Sequence, residues 1–105
     1  MDNSVMYAAQ LRAVLQRYVD TPSGTVDVTT ILMVSADGQH FSLIVDGWQG
    51  KQHVNYCAVH VESREGQVLV HQDRTDTLID SLRDAGIPAE RIILAYQQPA
   101  PVSAG

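Results

Sequence analysis

Cysteine is almost missing from this chain: Cys57 stands alone among 105 residues. A single thiol cannot close an internal disulfide, and such usage fits a reducing cytoplasm. Basic residues are also few. Seven Lys and Arg face 12 Asp and Glu, a formal net charge of −5. Arg12, Arg17, Lys51, Arg64, Arg74, Arg83 and Arg91 are scattered, each with acidic neighbours in the chain or on the same expected element. Affinity for nucleic acid rests on clustered cations, so this pattern argues against direct DNA or RNA binding. A protein partner with a basic surface suits the charge better. No apolar run approaches the roughly 20 residues of a membrane span. The opening MDNSVMYAAQ carries an acid and no basic n-region, so no secretory signal is expected. Charged residues make up only 18% and hydrophobic ones 45%, which excludes a disordered chain and supplies one core without staples. One domain over 1–105 is expected, with a loose tail near 98–105.

What is present centres on Phe41 to Asp73. Three β-branched or aromatic runs are separated by Gln49–Gly50 and Glu65–Gly66. Such X-Gly pairs signal hairpins, because Gly accepts the positive φ of a tight turn. Upstream, Val26, Val28, Thr30, Leu32 and Val34 alternate, and Asp37–Gly38 supplies another turn. A two-residue turn there sets Val34 opposite Phe41, Leu32 opposite Leu43 and Thr30 opposite Val45. A two-residue turn at Gln49–Gly50 sets Val45 opposite Val54 and Leu43 opposite Tyr56. All fall on one face, which supports an antiparallel meander. The apolar parity then changes, from Val54 and Tyr56 to Val59 and Val61. The pattern predicts a β-bulge or strong bend near Cys57–Ala58. The alternative is a sheet apolar on both faces, its second face covered either by the C-terminal helix or by another subunit; only the latter makes a homodimer. Pairing about Glu65–Gly66 sets Val61 opposite Val70, Ser63 opposite Val68 and His60 opposite His71.

Helical spacing brackets these strands. Over 3–20, Tyr7, Leu11, Val14, Leu15 and Tyr18 share a face, with Asn3 or Ser4 available as N-cap. Pro22 and Gly24 stop this helix. It is expected to cover the apolar face of the sheet. A second helix is expected over Thr75–Ala85, capped by Thr75 or Asp76, lined inside by Leu78, Ile79 and Leu82, and ended by Gly86. Pro88 opens a short turn through Glu90, and Ile92 to Tyr96 reads as a short last strand. The fold class is α+β: an N-terminal helix packed on a long-stranded antiparallel meander, then a second helix and a short C-terminal strand.

Catalytic chemistry is hard to find. The serines lack a Gly-x-Ser-x-Gly elbow, Cys57 lies in mid-strand, and no Gly-rich phosphate loop is present. Asp73 and Asp76 read as helix-entry caps. On a regular strand Cys57 and His60 point to opposite faces and could not share an ion without the bulge, and His53 lies about 13 Å from Cys57 at roughly 3.3 Å per residue. His60 and His71 form a partial metal site at best; two ligands do not fix zinc, and the plainer reading is a cross-strand pair that repels itself below about pH 6.5. No catalytic residue, metal or cofactor is assigned. Trp48, placed at a turn, is either an exposed contact residue or a ring folded back over the sheet.

The ordered set Gly47–Trp48, His53–Val54, Cys57, Val59–His60–Val61, Gly66, Val68, Val70, Gln72–Asp73, Thr75, Ala85–Gly86–Ile87–Pro88, Glu90, Ile92, Leu94–Ala95–Tyr96 and Pro99 resembles the XisI family. Tyr7, Leu11 and Tyr18 agree in position. XisI is named as a controlling factor for excision of the fdxN element. The resemblance spans most of 5–99. It implies an α+β fold with an antiparallel sheet and a role beside a site-specific recombinase. It also implies a companion, XisH, encoded next door and similar to nuclease-fold proteins, and no catalytic residues. Acting on that companion, as an antitoxin-like inhibitor would, is the expected mode; a DNA-contacting directionality factor is the alternative, and a small enzyme or metal-binding protein the third. Two departures stand out. Arg74 follows Asp73 where the family has a small residue, and residues 100–105 replace a longer tail. Trp48, Asp73 and Arg74 are the partner-binding candidates.

Overall fold

The computed structural model describes residues 7–21 and 27–97. The order is α1 (Ala8–Asp20), β1 (Val28–Val34), β2 (His40–Gln49), β3 (Gln52–Arg64), β4 (Gln67–Asp73), α2 (Leu78–Asp84) and β5 (Ile92–Leu94). Single 3-10 turns, Ala89–Arg91 and Ala95–Gln97, flank β5. The five strands form one sheet in chain order. β1 to β4 are antiparallel neighbours, and β5 joins β4 in parallel after the α2 crossover. This is the expected α+β fold. The expected tail at 98–105 lies outside the described residues.

Both helices bury their apolar residues into one cluster. Leu11, Val14 and Leu15 of α1 and Leu78 and Leu82 of α2 meet Phe41, Leu43, Val59, Val61, Val68 and Val70 of the sheet. The α1 face follows the expected spacing, with Tyr7, Leu11, Val14 and Leu15 buried and Tyr18 at its margin. The Tyr18 hydroxyl reaches Thr77 Oγ1 at 2.7 Å, tying the two helices together. The described helix has Tyr7 as its N-cap, with no side-chain cap; the expected caps Asn3 and Ser4 lie outside the described residues.

The first hairpin has the expected register: Val34 faces Phe41, Leu32 faces Leu43 and Thr30 faces Val45. Its loop is wider than two residues. Gly38 N–H donates to Ser35 O and Ser35 N–H to His40 O. A four-residue loop shares its centre with a two-residue one, so the register survives.

The second hairpin corrects the expectation. Gln49 pairs with Gln52, Val45 with Tyr56 and Gly47 with Val54. The turn residues are Gly50–Lys51, with positive φ at Gly50 alone, as a type II′ turn requires. The slip is two residues, so every side chain keeps its face.

The parity change is a bulge. Ile44 pairs with Cys57 and Leu43 with Val59, leaving Ala58 as the extra residue. The end of β4 satisfies the freed carbonyls: Gln72 Nε2 donates to Cys57 O, and Arg74 N–H donates to Ala58 O at 2.8 Å. A bulge resets the inner face, so a second apolar face covered by α2 is not needed. Glu65 and Gly66, with φ of 52° and 77°, form a type I′ turn and set Val61 opposite Val70 and Ser63 opposite Val68. A second irregularity follows. His60 pairs with Gln72, not with His71.

The second helix is shorter than expected. Asp73 Oδ1 accepts from the N–H and hydroxyl of Thr75, making a side-chain turn, and Asp76 takes φ of 63°. The helix therefore starts at Leu78 after Thr77, and neither Thr75 nor Asp76 caps it. At its end Gly86 N–H donates to Arg83 O and Ile87 N–H to Leu82 O, a Schellman motif sealed by buried Ile87 and Leu82. The last strand stops at Leu94, and Tyr96 belongs to the following turn.

Candidate functional site: the uncovered face of the sheet

With both helices on one face, alternation sends every second strand residue to the other. On β1 these are Thr29, Ile31 and Met33; on β2, His40, Ser42, Ile44, Asp46 and Trp48. From β3 come His53, Asn55 and Cys57 before the bulge, and His60, Glu62 and Arg64 after it. Among the described residues no element covers this face.

Three surfaces occupy it. Near β1, Ile31 and Met33 are 38% and 55% exposed, whereas their inward neighbours Thr30, Leu32 and Val34 are half-buried. At the β2–β3 end, Trp48 is 51% exposed and leans on His53, ring centroids 5.0 Å apart. His53 Nε2 lies 3.3 Å from Asp46, which also accepts from Asn55 at 2.9 Å. Trp48 thus sits within the strand before the turn, held upright by His53 and open to solvent.

The third surface is a histidine cluster around Glu62. The Glu62 carboxylate is buried although it faces away from the core. His71 Nε2 lies 3.0 Å from Oε1, His40 Nε2 3.6 Å and Arg64 Nε 3.3 Å from Oε2. His40 Nδ1 lies 3.0 Å from His60 Nε2, and the His60 and His71 rings stack at 4.7 Å. Neutral rings protonated at Nε2 satisfy both hydrogen bonds: His71 donates to Glu62, and His60 donates to His40 Nδ1, while His40 Nε2 stands beyond hydrogen-bond reach of Glu62 and pairs with it only when the ring is charged. Burial pushes the Glu62 carboxyl up, but the His71 hydrogen bond and the His40, Arg64 and His71 charges outweigh it, and its pKa lies below the ordinary 4.5. Burial, then repulsion from His71 and His40, holds His60 below its ordinary 6.5 despite the attraction of Glu62. Sequence pairing found His60 and His71 but not His40 or Glu62. The missed signal is periodic: His40, Glu62 and Arg64 share the outward parity after the bulge.

The cluster turns its nitrogens on Glu62 and on one another. Among the described residues no three His, Cys, Asp or Glu side chains are grouped to hold a metal ion. Cys57 is half-buried, its thiol donating to Val59 O.

The three partner-binding candidates do not converge. Trp48 is on the open face. Asp73 is half-buried and occupied by Thr75. Arg74 places its guanidinium 4.5 Å from the centroid of Tyr56, which pairs with Val45 on the helix side.

This is a two-layer domain with one sheet face left open and no assembled catalytic centre among the described residues. A sequence profile of the XisI protein family matches residues 1–103, and the chain belongs to that family. A XisI-like protein from Anabaena variabilis superposes with a TM-score of 0.77 at 27% identity, covering 90% of this chain and 88% of that one. A second structure, fdxN element excision controlling factor XisI from the same organism, gives a TM-score of 0.70 at 23% identity over 93% and 96% of the two chains. No curated protein matches the sequence. No helix among the described residues is long and apolar enough to cross a membrane.

Proposed function

We propose that this protein is a non-enzymatic accessory factor in the excision of a DNA element, and that it acts by binding another protein. The observation that carries this reading is the open sheet face. It offers Trp48, half exposed and braced by His53, in a chain of net charge −5. An aromatic anchor on a rigid strand is the kind of residue that dominates protein interfaces. On the open face Arg64 is engaged by Glu62, and Arg74 lies against Tyr56 on the helix side. A phosphate backbone would find few ligands here, whereas a basic cleft on a nuclease-like companion of the XisH type would find a complementary surface. Covering such a cleft would restrain the companion as an antitoxin does. Asp73 and Arg74 would then set the shape of the β4–α2 corner, with Trp48 making the contact.

Co-expression with an XisH-like companion and affinity capture tests this. Recovery of a stoichiometric complex at micromolar concentration, lost in Trp48→Ala, is the expected result. No complex, with salt-dependent binding of element-border DNA instead, would favour the directionality-factor alternative.

A further inference from the structure

β1 is an edge strand, and nothing among the described residues pairs with its outer side. Edge strands are usually blunted by charge, proline, a bulge or shortness. The other edge follows that rule, since β5 has only three residues. β1 has seven, VTTILMV, without a charge or proline, and its pairing with β2 has no irregularity. Ladder alternation shows which groups are free. Trp48 N–H donates to Asp27 O and Ser35 N–H to His40 O. Odd-numbered residues therefore bond to β2, and Val28, Thr30, Leu32 and Val34 direct their N–H and C=O outward.

We propose that β1 pairs antiparallel with β1 of a second copy of this chain, centred on Ile31, joining two sheets into one. In that register Val28 faces Val34, and Thr30 faces Leu32, of the second copy, and the outward groups match. Four such pairs, each exchanging two bonds, give about eight main-chain hydrogen bonds. Ile31 meets Ile31 at the axis, in a non-hydrogen-bonded position with Cα atoms about 4.5 Å apart, and Met33 meets Thr29. These contacts cover the two exposed apolar residues of the strand. Charge selects the same occupant. Two chains of net charge −5 repel, but this segment is neutral, and the flanking Asp27 meets Ser35 and not another acid. A strand-only interface is smaller than a standard one, so the dimer is of micromolar strength.

Sedimentation equilibrium from about 1 to about 100 µM tests it. The full chain is expected to pass from 11.5 kDa to twice that mass. Ile31→Lys, on an exposed position, sets two ammonium groups face to face and is expected to hold the chain monomeric. Thr30→Pro removes an outward N–H without touching the ladder to β2 and is expected to do the same. Mixing Ile31→Lys with Ile31→Glu is expected to restore a dimer, since position 31 meets itself only in this register. A wild-type monomer throughout, a dimer that survives Ile31→Lys, or no rescue in the mixture overturns the proposal.

Discussion

Three residues on the two faces show how single side chains set stability here. Ser63 is fully buried on the core face, and its hydroxyl has no partner among the described residues. A buried unpaired hydroxyl costs free energy, so Ser63→Ala is expected to raise stability by about 1 kcal/mol in urea denaturation. Across the sheet, His60 and Glu62 both hold depressed pKa values. The unfolded chain protonates at His60 near 6.5, whereas the folded chain resists, so folding is favoured above 6.5 and loses stability as pH falls through the lower folded value. Glu62 repeats this below 4.5, where its protonation releases His71, His40 and Arg64. Thermal midpoints measured downward from pH 7.5 are expected to fall in two stages, the first shallower in His60→Gln. A midpoint that rises on acidification would contradict this. The His60–His71 contact was legible in the sequence as a hairpin pairing. Its actual form was not, because the irregularity that moves Gln72 opposite His60 shifts no apolar residue and leaves no trace in the pattern.

At the level of elements, two glycines differ in what a side chain would meet. A Cβ on Gly47, whose φ is 157°, would lie 2.0 Å from Asp27 O and 2.7 Å from Val28 Cα. Backbone cannot yield as a side-chain tip does, so Gly47→Ala is expected to cost about 3 kcal/mol and to loosen β1 first, seen as faster amide exchange there. Gly86 closes α2 with φ of 99° and has open space around it. Gly86→Ala therefore suffers only the left-handed conformation, about 1–2 kcal/mol in chemical denaturation. The elements were largely readable. Parity fixed the first hairpin and the Ala58 bulge, because both move apolar residues between faces. The β2–β3 register slipped by two because Gly50 serves either as the second residue of a Gln49–Gly50 turn or as the first of Gly50–Lys51, and a two-residue slip leaves the faces unchanged. The start of α2 was misplaced because Asp73 and Asp76 look like caps in sequence but build the turn before the helix.

For the molecule as a whole, residues that carry the family resemblance largely serve the fold. Gly47 admits β1, Gly66 turns β3 into β4, Gln72 answers the bulge carbonyl, Asp73 and Thr75 shape the corner, and Gly86 and Ile87 close α2. That is why family and architecture could be read together while the open face could not. The open face emerges only when both helices are seen on one side. Trp48 is a matched position with no such internal duty, as exposed as Tyr96, and it stands on the open face. Trp48→Ala is expected to leave the thermal midpoint within about 1 °C, since surface substitutions usually change stability little. The most direct measurement is calorimetric titration of an XisH-like companion into the wild-type protein and into Trp48→Ala. Saturable micromolar binding, weakened by about 2 kcal/mol in the variant, is the result predicted for a hot-spot aromatic. Equal binding by both proteins, or heat from element-border DNA and none from the companion, would contradict a protein-directed open face.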